Sequence, residues 1–285
     1  MQLKLATLTA LERGAAVARR LRLGVLVDAL APRVARPFER FELDVDGVRL
    51  HGTDLAQLHY VRELAEEGRE RTFVRLLSEA VPRGGVVLEG GAHLGYVTIH
   101  AARAAGPSGR VICFEPNTAV HGVLWENLAA NGVGDRVTVR PQALGERSGT
   151  ARLSMSGDTS SLFGDAPSAV EVEVVRADTA VSAPVDVVKL DVEGAETEAL
   201  RGMQGLLDAD SPPRTLFVEC HPALLERAGS SQAELIGTLE AAGYNVEWID
   251  ETNGKAAPLS EPWTAAFVNL RCVRNAPAAG PGSAG

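Results

Sequence analysis

Apolar and polar positions change rhythm along the chain, and each change predicts a different kind of element. Residues 5–22 and 24–31 place apolar side chains at helical spacing, and Pro32 and Pro37 break those helices. Phe41–Leu50 instead alternates apolar and polar residues around Asp46-Gly47, a pair suited to the left-handed backbone of a tight hairpin. Residues 55–80 return to helical spacing, with Leu64, Phe73, Leu76 and Leu77 on the core face, until Pro82-Arg-Gly-Gly85 stops the run.

From Val86 onward, short apolar runs alternate with helical ones. Strands are predicted at 86–90, 110–115, 136–140, 185–191, 214–220, 244–249 and 264–273. Helices are predicted at 95–105, 117–131, 195–208 and 230–242. Strand and helix in alternation imply βαβ crossovers, hence an α/β fold with a mostly parallel, doubly wound sheet. Residues 150–176 interrupt the rhythm: Ala151–Met155 and Val170–Arg176 read as strands flanking a polar loop that includes Asp158-Thr-Ser-Ser161. The last two strands, separated by Asn253-Gly254 and Pro258, read as an antiparallel pair. The expected division is a helical N-terminal extension with a small hairpin over 1–82, a main domain over 83–275, and a disordered Ala/Gly/Pro/Ser tail over 276–285. The extension is open to three roles: core packing, a lid that includes Tyr60, or a homo-oligomer contact.

Composition then removes classes. With 45% hydrophobic and 23% charged residues in 285, the chain reads as a soluble globular protein. A formal net charge of −9 lacks the basic excess that phosphate binding needs, so no nucleic-acid partner is expected. Cys113, Cys220 and Cys272 lie far apart in apolar runs, as buried thiols of a reducing cytoplasm would. Charged residues interrupt the N-terminal helices, and no uncharged run approaches the roughly 20 residues of a membrane span. The expectation is a cytoplasmic protein with no membrane partner.

Chemistry concentrates where predicted strands end. Val86-Val-Leu-Glu-Gly-Gly-Ala-His-Leu-Gly95 carries glycines at 90, 91 and 95, which let the backbone turn sharply and approach a ligand, and a helix N-terminus follows. Glu115 ends the next strand, immediately before Pro116, and can accept hydrogen bonds from both hydroxyls of a ribose. NAD and S-adenosylmethionine both satisfy that pattern.

The order of Phe114-Glu-Pro-Asn117, Asn127-Leu-Ala-Ala-Asn131, Gln142-Ala-Leu144 and Asp186-Val-Val-Lys-Leu-Asp-Val-Glu-Gly-Ala-Glu196 resembles the FkbM family of methyltransferases, from about Val86 to Asp250. The resemblance implies a Rossmann-like class I methyltransferase sheet of seven strands and S-adenosylmethionine as cofactor. It implies that Glu89 and Gly91 hold the methionine end, that Glu115 meets the ribose, that Gln142 and Ala143 line the adenine, and that His93, Gly95 and Pro116 belong to the cofactor site. Asp191 is expected to border the cofactor too. Glu89, Gly90 and His93 depart from the family's usual Asp, β-branched residue and Asn. The family further suggests a small-molecule or glycosyl acceptor in specialised-metabolite assembly, methylated on oxygen.

For the acceptor side, Asp191, Glu219 and His221 end predicted strands at one sheet edge, where open α/β sheets bind ligands. His221 could serve as a general base, or the trio could hold a divalent metal. Lys189, within its strand, is expected to pair with a carboxylate, and Glu196 suits either a helix-capping role or the site. An NAD(P)-dependent oxidoreductase and a non-catalytic nucleoside-binding module are the alternatives. The chain shows no Tyr-x-x-x-Lys hydride-transfer pair.

Overall fold

The computed structural model describes residues 40–156, 159–163, 169–260, 263 and 265–275. The two helices expected before Pro37, Asp158 and the C-terminal tail lie outside the described residues. The hairpin is present: β1 (Phe41–Val45) pairs with β2 (Val48–Gly52), and the turn uses Asp46 and Gly47 at φ 50° and 81°. The expected helix 55–80 is divided into α1 (Leu55–Arg62), a π-helical turn (Glu63–Glu67) and α2 (Arg71–Ala80). Gly68, at φ 69°, ends the first part in a left-handed cap, and Glu70 follows at φ 63°. The free amides of Thr72 and Phe73 at the start of α2 donate to the Glu251 carboxylate at 2.8 and 3.0 Å.

The main body runs β3 (Val86–Gly90), α3 (Tyr96–Ala105), β4 (Arg110–Phe114), α4 (His121–Ala130) and β5 (Val137–Arg140). A smaller sheet of β6 (Ala143–Leu144), β7 (Gly149–Ser156), β8 (Thr159–Ser161) and β9 (Val170–Val175) comes next. The chain then returns through α5 (Ala177–Ala180), β10 (Val187–Leu190), α6 (Glu196–Arg201), α7 (Gln204–Leu207), β11 (Thr215–Cys220) and α8 (Pro222–Arg227). It ends with α9 (Gln232–Ala241), β12 (Tyr244–Asp250), β13 (Lys255–Pro258) and β14 (Val268–Arg274).

The large sheet has the order β13-β12-β14-β11-β10-β3-β4-β5. Its strands from β11 to β5 are parallel, while β14, β12 and β13 are antiparallel to their neighbours. The finishing antiparallel pair is therefore as expected, but the sheet has eight strands rather than seven. Lys255–Pro258 adds the extra edge strand, and its proline sits where an edge tolerates one. The predicted helix 195–208 is two helices. Gly202 between them packs so tightly that a Cβ there would lie 2.0 Å from the Gly145 carbonyl oxygen.

Alternation along each strand fills both faces of the sheet. Val87, Val187 and Phe217 face a core completed by Leu50, Val61, Phe73 and Leu77. Leu88, Val188, Leu216 and Val218 face Leu200, Leu225, Leu239 and Tyr244. The hairpin and the first two helices thus share one core with the main body, and Asn127 and Asn131 of the α4 region clamp β2 through the Arg49 and His51 backbones. Order reverses between β3 and β10: the chain steps outward through β4 and β5, then returns to build β10 and β11 on the other side. A crevice opens there beyond the strand ends, the usual ligand position in such sheets.

Candidate active site

A cleft enclosing about 1050 Å³, open to solvent, lies at that switch point. Glu89, Gly91, His93, Glu115, Pro116, Gln142, Ala143, Asp191 and Glu219 all line it, as the sequence suggested. Gly95 and His221 do not.

The turn after β3 is compressed between its neighbours. The Gly91 amide donates to Phe114 O at 2.9 Å, and the Asp191 amide to Gly90 O at 3.1 Å. A Cβ on Gly91, at φ 80°, would stand 1.9 Å from the Asp191 carbonyl oxygen. The turn at Gly91 is thus pressed against the end of β10 on one side while it lines the cleft on the other. Gly95, at φ 87°, turns into α3, and a Cβ there would meet Leu124 at 2.7 Å. It serves the packing of α3 on α4, which is why it stands back from the cleft.

Glu115 is buried at the end of β4. The His93 amide donates to its Oε2 at 2.8 Å and the Asn117 amide to its Oε1 at 2.9 Å. Burial raises its pKa, opposed by those two amides. His93 adopts φ 47° to aim its amide there, and its ring centroid lies 5.0 Å from that of Tyr60. Glu89 is also buried. Its Oε2 accepts from the Thr98 hydroxyl at 2.6 Å, while Oε1 has no hydrogen-bond partner. A buried carboxylate oxygen left unmatched costs stability unless a ligand donor reaches it. Gln142, Ala143 and Leu144 form the far wall, with Leu153, Ser160 and Leu162 from the smaller sheet. The expected polar loop is partly strand β8, and it is tied down: Asn117 Nδ2 donates to Ser160 Oγ at 3.2 Å, and Ser161 Oγ donates to Glu193 O at 2.8 Å.

Beyond this lies a second half. Lys189 is buried, and its Nζ donates to Gly91 O at 2.5 Å. It stands 3.6 Å from Asp191 and 3.8 Å from Glu89, the carboxylate pairing expected of it. Burial would lower its pKa, but Asp191 and Glu89 hold it above the ordinary lysine value. Glu219 is buried near the end of β11, and its side chain makes no hydrogen bond among the described residues. Burial, reinforced by Asp191 and Glu193, raises its pKa well above the carboxylate range. Glu196 braces the turn ahead of its helix instead of capping the helix: its carboxylate accepts from the Val192 amide at 2.9 Å and from the Gly194 amide.

Sequence reasoning missed Arg69 and Glu70, which also line this half. Arg69 reaches Glu63 at 2.5 Å and Glu70 at 3.7 Å. Its guanidinium also lies over the rings of Tyr60 and Phe267, 5.7 and 5.5 Å from their centroids. Glu70 is inserted by its left-handed backbone, and burial lifts its pKa to about 7 against the pull of Arg69. The only sequence signal was Gly68, which marks the break that redirects the chain.

The expected trio does not assemble. β11 ends at Cys220, and His221 turns away to begin α8, its ring stacked on Phe267 at 5.6 Å with 5° between planes. Among the described residues no group of three His, Cys, Asp or Glu side chains could hold a metal ion. Nor is any helix among them long and apolar enough to cross a membrane. The three cysteines are buried free thiols.

No curated protein sequence matches the chain. Solved structures with a similar chain course include an S-adenosylmethionine-dependent O-methyltransferase from Thermotoga maritima, at 13% identity over 81% of this chain and 75% of that one, TM-score 0.45. Methyltransferase FkbM from Methylobacillus flagellatus KT matches at 15% identity over 70% and 50%, TM-score 0.44. Aeropyrum pernix fibrillarin, with natively bound S-adenosyl-L-methionine, matches at 13% over 71% and 74%, TM-score 0.43. Likenesses this distant carry no argument about activity. The model of the methyltransferase FkbM domain, however, matches residues 89–246, more than half of the chain and the stretch that builds the Glu89–Glu115 half of the cleft. The chain belongs to the FkbM family of S-adenosylmethionine-dependent methyltransferases.

Proposed function

We propose that the protein methylates a hydroxyl oxygen of a small-molecule or glycosyl acceptor, in the cytoplasm and in specialised-metabolite assembly. The observation that carries the oxygen assignment is the pair of carboxylates, Asp191 and Glu219, at the ends of β10 and β11, beside the cofactor half of the cleft. The family resemblance supports the acceptor class and the metabolic setting.

The residues fit the cofactor. Glu89, with its unmatched Oε1, and the Gly91 turn would hold the methionine end, Glu115 the ribose, and Gln142 and Ala143 the adenine. When bound, S-adenosylmethionine supplies a methyl group already activated on a sulfonium. What remains for this chain is to orient the acceptor and receive one proton. Asp191, half-exposed to the cleft, takes that proton as the hydroxyl oxygen bonds to the methyl carbon. Lys189 keeps Asp191 oriented through their 3.6 Å ion pair. Asp191 and Glu219 reach the cleft and His221 does not, which supports giving the proton to a carboxylate rather than to the histidine.

The test is kinetic. Asp191→Asn should lower kcat by about 10²–10⁴-fold and leave S-adenosylhomocysteine affinity nearly unchanged, with His221→Ala close to the parent. If Asp191→Asn turns over normally and His221→Ala does not, the proton acceptor has been misassigned.

A further inference from the structure

The cleft as a whole is lined by more acidic than basic side chains, and four of the acidic ones, Glu70, Asp191, Glu193 and Glu219, stand on its acceptor side. Six carboxylates line the cleft, those of Glu70, Glu89, Glu115, Asp191, Glu193 and Glu219, against the two cations Arg69 and Lys189. Both cations are already engaged by the protein. Lys189 donates to the Gly91 carbonyl and lies between Glu89 and Asp191. Arg69 is held by Glu63 and is covered by two aromatic rings. Neither is free to receive an anionic substrate group.

Two of the carboxylates, by contrast, lack close partners. Glu219 is nine-tenths buried and lines the cleft, and its side chain makes no hydrogen bond among the described residues. Glu70 has one ion pair, at 3.7 Å, to an arginine that is closer to Glu63. The backbone of Glu70 is held in a conformation that L-residues rarely adopt, and that conformation places the side chain on the cleft wall. Local strain of this kind is retained where the surrounding structure enforces it, often at ligand sites. A buried carboxylate without a donor is costly, and a charged donor from a ligand relieves that cost most effectively.

We infer that the acceptor is a cation: beside the hydroxyl it offers to Asp191 it carries a protonated amine, received by the carboxylates of Glu219 and Glu70. This rests on the methyltransferase reading above and narrows its acceptor to amino alcohols, amino sugars among them. Acceptors bearing a carboxylate or phosphate at that position are excluded by charge.

The experiment uses the full chain saturated with S-adenosylhomocysteine and three matched probes: ethanolamine, ethylene glycol and glycolate. Each is titrated to high millimolar concentration and followed by nuclear magnetic resonance. Ethanolamine should bind about tenfold more tightly than ethylene glycol, with glycolate weakest, the ratio expected when a charged hydrogen bond replaces a neutral one. Glu219→Gln and Glu70→Gln should each reduce the preference, and the double variant should abolish it. Equal or tighter binding of ethylene glycol or glycolate, or a preference that survives in the double variant, would overturn the inference. No binding by any of the three would do the same. S-adenosylhomocysteine binding is measured first and tells the two readings apart. Its loss strikes the cofactor assignment, whereas its retention without an amine preference strikes only the acceptor class.

Discussion

The two halves of the cleft satisfy their carboxylates in opposite ways. On the cofactor side, both Glu115 oxygens are met by backbone amides from within the Glu89–Asn117 stretch, and one of the two Glu89 oxygens is met by Thr98. The partners are close in sequence, and several are main-chain groups that a side-chain substitution leaves in place. On the acceptor side, Glu219 is left without a hydrogen bond and Glu70 is met by a side chain from its own turn. Its walls come from segments near residues 60–70, 189–193 and 219. A half bound by main-chain amides is prepared for one ligand. A half walled by side chains can change its ligand by substitution, and two of its members, Arg69 and Glu70, lie outside the family-matched stretch 89–246.

The comparison can be broken most severely at Gly91. Gly91→Val drives a side chain into the Asp191 carbonyl, so it should disturb both halves at once. Both S-adenosylhomocysteine binding and several degrees of thermal stability should be lost, because a φ of 80° and the clash act together. Binding at parental affinity in a folded variant would mean the turn is looser than its geometry implies.

Next in size, Glu115→Ala should weaken S-adenosylhomocysteine binding by about 1–3 kcal/mol, measured by calorimetry, through a lost charged hydrogen bond. An unchanged affinity would remove the ribose from this strand end and erase the contrast on the cofactor side.

A comparable but pH-dependent effect should come from Glu70→Gln. A carboxyl whose folded pKa rises from 4.5 to about 7 binds more protons folded than unfolded, so its ionisation costs stability as pH rises through that window. The variant should therefore be more stable than the parent by about 1–3 kcal/mol at pH 8, an advantage that fades as pH falls towards 4.5. Denaturant melts at pH 8 and pH 5 read it directly. A variant less stable than the parent at pH 8 would show that Arg69 stabilises the charge more than burial penalises it.

The smallest effect is expected at Gln142, whose exposed side chain meets Glu173 at 3.1 Å. Gln142→Ala should change stability by no more than about 0.5 kcal/mol, as for other exposed sites. A larger loss of cofactor affinity would extend the firmly held half to the adenine wall.

What could be read from the sequence followed the same line. The strands and helices from Val86 to Asp250 are short, periodic and punctuated by Gly and Pro, so their positions and the cofactor turn were legible. The N-terminal hairpin was announced by Asp46-Gly47. Three things were not legible. The helix 55–80 gave no sign, beyond Gly68, of the turn that places Arg69 and Glu70 in the cleft. His221 follows the alternation of β11, yet a proline at the next position starts α8 and carries the ring away to Phe267. The cap that Glu251 supplies to α2 joins segments remote in sequence, which no local pattern encodes.

The place of β14 in the sheet bears on the order of assembly. The last strand of the described chain lies between β11 and β12, both made earlier. A growing chain can pair β3, β4, β5, β10 and β11 before β14 emerges, but β12 has no neighbour linking it to that sheet until β14 arrives. Phe267, which covers Arg69 and His221, is delivered by the same final segment. During synthesis the cofactor crevice can therefore take shape before Phe267 covers Arg69, and the acceptor side gains that cover only once the segment leading into β14 has been made.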